Sequence, residues 1–265
     1  MTASPRHTTV LKAVLWDVDG TIAETERDGH RVAFNEAFEA HGIPWRWSVE
    51  HYGELLVVAG GRERLLHDMA SRPDAPADLA EREALARTLH AAKNVAYAAR
   101  LAQGGISFRP GVRPLLEECR ARGVPMAITT TTSRANIDAL FSQHLGAAWR
   151  DWFAVVLGGE DVTHKKPDPE VYQRALQLLG VEAHEAVAIE DSPAGVASAR
   201  GAGVPVVVAR SIYFADTPIE GATAVGPGLH TRRGWTPALV PGGHASDGDG
   251  PVTLDDLARW CTTTR

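Results

Sequence analysis

Short apolar runs that alternate with helical segments, each run closing on a polar cluster, constrain this chain most. The runs cover residues 12–18, 124–130, 153–157, 186–189 and 204–209, and from 134 onward helical patterns at 134–144, 169–179 and 193–202 fall between them. Strands joined through helices pair in parallel, so the pattern predicts an open, twisted α/β sheet built from crossover units. Ligands of such sheets bind beyond the carboxyl ends of the strands. There the first run delivers Asp17 and Asp19, the second Thr129-Thr130-Thr131-Thr132-Ser133, a loop after the third Lys165-Lys166-Pro167, and the fourth Glu190-Asp191.

Residues two apart on a strand share a face, and a glycine permits an abrupt turn, so Asp17-Val18-Asp19-Gly20-Thr21 places both carboxylates at one mouth. Like charges held close raise each other's pKa unless a cation or hydrogen bonds separate them, and a hard divalent ion bound by oxygen is the natural companion. Read alone, Asp-Gly also serves as a plain turn after a buried strand. Hydroxyls and backbone amides can hold phosphate oxygens, and a lysine neutralises phosphate and carboxylate alike. With the second acidic pair, these are the parts that phosphoryl transfer needs.

The 265 residues are 44% hydrophobic and 23% charged, a composition that fits one large or two smaller globular domains. A formal net charge of −6 argues against a nucleic-acid partner. Cys119 and Cys261 sit in no metal-binding or disulfide pattern, which favours a reducing, cytoplasmic setting. Residues 1–9 lack the apolar run of a signal peptide, and no later run approaches membrane-spanning length. No membrane partner and a monomeric state are expected.

Between the first run and about residue 103 the pattern is helical, with an apolar stripe of Val32, Ala33, Phe34, Ala37 and Phe38 and a four-apart Glu83 and Arg87 pair. Gly104-Gly105 interrupts it and marks a hinge, after which Phe108-Arg109-Pro110-Gly111 leads into an amphipathic segment at 112–122. Ser192 before Pro193 and Asp168 before Pro169 read as helix caps, which makes Ser192 a poor nucleophile candidate. Glycine and proline dominate 221–251, read as a mobile surface excursion in which His230 and His244 are solvated. Leu254, Leu257 and Ala258 indicate a short terminal helix.

These strand-end residues resemble the four motifs of the haloacid dehalogenase superfamily: Asp17 to Thr21 the first, Thr130 the second, Lys166 of Lys166-Pro167-Asp168-Pro169 the third, and Glu190-Asp191 the fourth. The resemblance implies a Rossmann-like three-layer core, residues 1–23 and 105–265, with a small inserted α-helical cap at 24–104 that closes over the crevice. It implies that Asp17 attacks phosphorus to form an aspartyl-phosphate while Asp19 gives a proton to the leaving oxygen and then activates water. Magnesium would be held by Asp17, the backbone carbonyl of Asp19, and Asp191, with Glu190 near or in the shell. Thr130, the amide of Thr131, and Lys166 would bind the transferring group, with Thr132 beside them. Dehalogenases of the superfamily lack the second aspartate; Asp19 is present here.

Within the superfamily, Gly20-Thr21-Ile22-Ala23-Glu24-Thr25-Glu26 and Gly60-Gly61-Arg62-Glu63-Arg64 resemble the CbbY-like and β-phosphoglucomutase-like proteins. That likeness implies Arg64, three residues after Gly61, as the grip on a second phosphate, with Arg62 nearby, Lys93 of a Lys-x-x-x-Tyr helix assisting, and Glu24 on a sugar hydroxyl. The implied substrate is a sugar bisphosphate, xylulose-1,5-bisphosphate foremost, a by-product that inhibits the carbon-fixing enzyme Rubisco. A phosphosugar mutase, a phosphoglycolate phosphatase and a non-catalytic phosphosugar-binding protein remain alternatives.

Overall fold

The computed structural model describes residues 11–58, 60–237 and 249–263. Its strands are β1 (Ala13–Trp16), β2 (Met126–Thr129), β3 (Val155–Leu157), β4 (Ala186–Glu190), β5 (Val206–Ala209) and β6 (Ala224–Gly226). They form one sheet in the order β3-β2-β1-β4-β5-β6, every neighbouring pair parallel. Trp16 stands opposite Ile128 on one side and Ile189 on the other, so the ends of β1, β2 and β4 are level. The chain builds outward from β1 through β2 to β3, then crosses back to β4, and this reversal opens a crevice beyond β1.

Between β1 and β2 the chain makes a π-helical turn (Glu26–His30), then α1 (Arg31–Ala40), α2 (Val49–Leu55), α3 (Gly61–Ser71) and α4 (Leu79–Ala102). These helices bury an aromatic cluster of their own, including Phe34, Phe38, Trp45, Trp47 and Tyr52. Ala33, Phe34, Ala37 and Phe38 are buried as their spacing predicts, while Val32 is half-buried. The Glu83 and Arg87 pair forms at 4.0 Å, but on exposed side chains, where it contributes little.

α5 (Val112–Ala121), α6 (Arg134–Leu145) and, beyond β6, α9 (Leu254–Thr263) cover one face of the sheet, packing Leu116, Phe141 and Leu257 with Val14 and Trp16. α7 (Glu170–Leu179) and α8 (Pro193–Gly201) cover the other, packing Tyr172 and Val196 with Ala13 and Leu15. Both faces of β1 are therefore buried, which is why the strand reads as an unbroken apolar run rather than an alternation. Ser192 Oγ accepts from Gly195 N at 3.2 Å, with Pro193 first in α8. Asp168 accepts from Glu170 N at 2.9 Å, but Pro169 takes the cap position and α7 starts one residue later than expected.

Of the stretch at 221–251, residues 238–248 lie outside the described residues; the described part departs from the expected surface excursion. Ala224–Gly226 pairs with β5 as an edge strand, and Leu229, Trp235 and Val252 join the main core. A Cβ on Gly226 would lie 2.1 Å from the Trp235 ring, so glycine is there for close packing. Ala224, Leu229 and Trp235 are too widely spaced to show a period, yet each is buried in the main core. His230 is exposed as expected. His244 and the leader reading of residues 1–9 lie outside the described residues. Among the described residues no helix is long and apolar enough to cross a membrane.

Candidate active site

Asp17 leaves β1 with its amide still donating to Ile189 O at 3.1 Å, so the ladder delivers it directly to the crevice. Gly20 then turns at φ +84°, and a Cβ there would meet Asp191 Oδ2 at 2.1 Å. Only glycine permits that approach. Asp17 and Asp19 thus line one cavity of about 640 Å³, together with Glu24, Gly61, Arg62, Arg64, Lys93, Thr131, Thr132, Lys166 and Asp191.

Lys166 Nζ lies 2.7 Å from Asp17 Oδ1 and 2.6 Å from Glu190 Oε1, with all three side chains buried. Burial pushes the Asp17 carboxyl up to about 7; Lys166 opposes this and Glu190 adds to it. Burial, with Asp17 and Glu190 close by, raises Asp191 well above its ordinary value. Burial alone would lower Lys166, but the facing carboxylates hold it well above the ordinary lysine range. Tyr172 Oη donates to Glu190 Oε1 at 2.5 Å, whereas Glu190 Oε2 is buried without a partner.

Carboxylate oxygens of Asp17, Glu190 and Asp191 lie within 4.8 Å of one another. Of these three buried carboxyls two pair with Lys166, all their donors are hard oxygens, and one oxygen of Glu190 is orphaned. This arrangement fits a small divalent cation such as magnesium.

Asp19 turns away from that cluster. Its Oδ1 accepts from Thr25 Oγ1 at 2.5 Å and stands 3.3 Å from His30 Nε2. Burial works to raise this carboxyl, but His30, Thr25 and the more distant Lys93 overcome it and bring it down to about 2. Two acids on one turn thus occupy opposite electrostatic settings.

Thr131, Thr132 and Ser133 form part of the cavity wall. Thr130 is 1% exposed, stands outside that lining, and accepts from the Thr132 amide at 3.3 Å. Glu24 pairs with Arg109 at 3.3 Å, and burial raises its carboxyl despite that partner. Gly61 opens α3 where a Cβ would press on His90, and Arg62 is exposed and pairs with Glu63.

Arg64 is buried over the Tyr52 ring. It donates to Tyr52 Oη at 2.6 Å and to the carbonyls of Leu55 and Val58. Lys93 is 4% exposed between the rings of Phe34 and Tyr97, and burial lowers it to about 8.

Sequence reasoning did not single out His30, Tyr172 or Asn136. His30 stacks on Tyr97 at 4.2 Å, and a π turn sets the register that aims it at Asp19, so an α-helical wheel does not flag it. Tyr172 lies on the first turn of α7 and reads as an ordinary core aromatic. Asn136 donates to Thr132 Oγ1 at 3.1 Å, and its position in the first turn of α6 was the available signal.

Residues 11–203 match the haloacid dehalogenase-like hydrolase family. A plasmid-encoded CbbY protein of Cupriavidus necator is 42% identical over 232 residues, covering 88% of this chain and 91% of that protein. Two crystal structures of CbbY from Rhodobacter sphaeroides, one with phosphate and one a mutant with xylulose-(1,5)bisphosphate, superpose with a TM-score of 0.76 at 38% identity. In each case the match covers 83% of this chain and 95% of the other. The chain therefore belongs to the haloacid dehalogenase-like hydrolase family and, within it, is CbbY-like.

Proposed function

We propose that this chain is a CbbY-like sugar-phosphate phosphatase whose substrate is a sugar bisphosphate, xylulose-1,5-bisphosphate foremost. One observation carries the reading: a single cavity contains the Asp17, Lys166 and Asp191 cluster and also the buried cations Arg64 and Lys93 contributed by the helical segment. Lys93 has no ion-pair partner among the described residues and Arg64 reaches Glu26 Oε2 only at 3.5 Å, so positive charge is left for an anionic ligand, and ionised hydrogen bonds to phosphate are strong and directional. The CbbY structure holding xylulose-(1,5)bisphosphate supports the same class of substrate.

In this reading an Asp17 carboxylate oxygen attacks phosphorus. The bond from phosphorus to the sugar oxygen breaks, and that oxygen takes a proton from Asp19. Water, deprotonated by Asp19, then attacks the aspartyl-phosphate, releasing inorganic phosphate and restoring Asp17. Lys166 and the main chain at Thr130 to Thr132 bear the charge that builds on the transferring oxygens.

Magnesium held by Asp17, the Asp19 carbonyl and Asp191, with Glu190 behind, would supply the positive charge that keeps Asp17 ionised. Asp19 as it stands is ionised, the state water activation requires. To carry the first proton it must be released from Thr25 and His30. Both belong to residues 24–104, which we assign as a cap whose movement is coupled to the proton cycle.

The test is phosphate release with magnesium over a panel of sugar mono- and bisphosphates, with Asp17→Asn as the blank. Preferential turnover of bisphosphates is expected. Equal turnover of both classes would remove the second-phosphate role. Conversion of a hexose 1-phosphate to its 6-phosphate without phosphate release would make the chain a mutase.

A further inference from the structure

Arg109 does not line the cavity, yet it joins the segments that form the cavity's floor. Its amide donates to Ile22 O at 2.7 Å, and Phe108 bridges Ala23, so the segments entering and leaving the helical unit run side by side there. From this point the guanidinium donates through Nη1 to the carbonyls of Gly20 and Ala209, the latter at 2.9 Å, and through Nη2 to the carbonyl of Arg210. Its Nε stands 3.3 Å from Glu24 Oε1, and the side chain is 12% exposed.

Each partner lies next to a residue of the site. Gly20 follows Asp19 in the turn, Ala209 ends β5, Arg210 precedes Ser211 in the cavity wall near Asp191, and Glu24 faces the cavity. The carbonyls present the negative ends of their dipoles to a common point, where they repel one another without a cation. A planar guanidinium with several fixed donors can serve them all, whereas a lysine ammonium cannot match that fork.

We propose that Arg109 is a positioning residue for phosphoryl transfer: its one guanidinium locks the Asp19 turn and Glu24 to the end of β5, setting the geometry of reacting groups it does not touch. The inference rests on the phosphatase reading. A rigid anchor of this kind acts on rate, because displacing a reacting group by an ångström disturbs the near-attack arrangement more than it disturbs binding.

The experiment compares unsubstituted protein, Arg109→Lys and Arg109→Met with magnesium, on xylulose-1,5-bisphosphate and on an aryl phosphate too small to reach the cap, alongside thermal unfolding. For Arg109→Lys, kcat on both substrates should fall about 30- to 100-fold, with KM for the aryl phosphate changed less than about threefold. A lower Tm with kcat within about threefold would show a purely structural role and overturn the proposal. So would a rise in KM for the bisphosphate alone, which would assign Arg109 to Glu24 and not to the Asp19 turn. If Arg109→Met does not fold, Arg109→Lys decides, since it keeps the charge and the aliphatic stem. No turnover of either substrate by the unsubstituted protein would overturn the phosphatase reading, and this proposal with it. Turnover matched by Arg109→Lys would overturn this proposal alone.

Discussion

Asp17 and Asp19, two residues apart on one turn, answer to different partners: Asp17 Oδ1 is 2.7 Å from Lys166 Nζ, and Asp19 Oδ1 is 3.3 Å from His30 Nε2. Their carboxyls are accordingly pulled in opposite directions, Asp17 up to about 7 and Asp19 down to about 2. In the proposed reading the nucleophilic role falls to Asp17 and the acid–base role to Asp19, a division that requires surroundings as different as these.

Asp17→Asn should abolish turnover, by about 10⁴-fold or more, because the amide is no nucleophile. It should also stabilise the metal-free protein. The folded pKa near 7 lies above the ordinary 3.8, so the fold prefers the protonated acid and loses stability as pH climbs from about 4 through 7. An asparagine carries no such penalty, and Glu190 still pairs with Lys166. In EDTA at pH 8 the variant should melt higher, by about 2–4 °C for each kcal/mol relieved. A lower Tm at that pH would refute this account of the buried charge.

Magnesium should raise the Tm more at pH 8 than at pH 5.5. Without a metal, Asp17 is held at about 7 and Asp191 higher than usual, so protons occupy these oxygens at low pH and a cation must displace them. Apparent affinity should then climb by up to about tenfold per pH unit for each proton displaced. Titrating the thermal shift with MgCl₂ at both pH values checks this, and equal shifts would argue that the ion binds elsewhere.

How far the site was legible depends on where each residue sits. Asp17, Lys166 and Glu190-Asp191 lie at or just beyond strand ends, and a parallel sheet brings strand ends together whatever the intervening chain does. His30 was hidden because its aim depends on a π turn, a local register that no periodic pattern reveals. Arg109 was passed over for a different reason: its partners are mainly main-chain carbonyls, which carry no side-chain signature. β6 escaped because three residues amid glycines and prolines cannot display a strand period, although tertiary packing on Trp235 suffices to form it.

Lys93 should make binding of a bisphosphate weaken above pH 8. Burial lowers its ammonium to about 8, so a rise in pH through that value discharges it and removes a cation from the cavity. KM for the bisphosphate should increase on that limb while KM for a small aryl phosphate does not. Lys93→Met should raise the bisphosphate KM roughly 10- to 100-fold at pH 7 and flatten the limb, as expected for a lost charged hydrogen bond. A limb that persists in Lys93→Met would assign it to another group.

Gly53, inside α2, packs against Tyr213 of the turn that follows β5, and a Cβ there would lie 3.1 Å from Tyr213 Cδ1. An interior helical glycine costs stability, roughly 0.5–1 kcal/mol relative to alanine, so close packing is the reason for it. Gly53→Ala should be nearly neutral, the helix gain offset by a slight shift of the ring. Gly53→Val adds two methyl groups directed at that ring and should push α2 off the turn. Since Tyr52 and Gly53 both line the cavity, the displacement should raise KM for a bisphosphate several-fold and leave kcat on a small aryl phosphate unchanged. Steady-state kinetics on both substrates, with unfolding curves for both variants, decide it: a Gly53→Val protein with unaltered KM would mean that α2 and Tyr213 touch without governing how the cavity closes on its substrate.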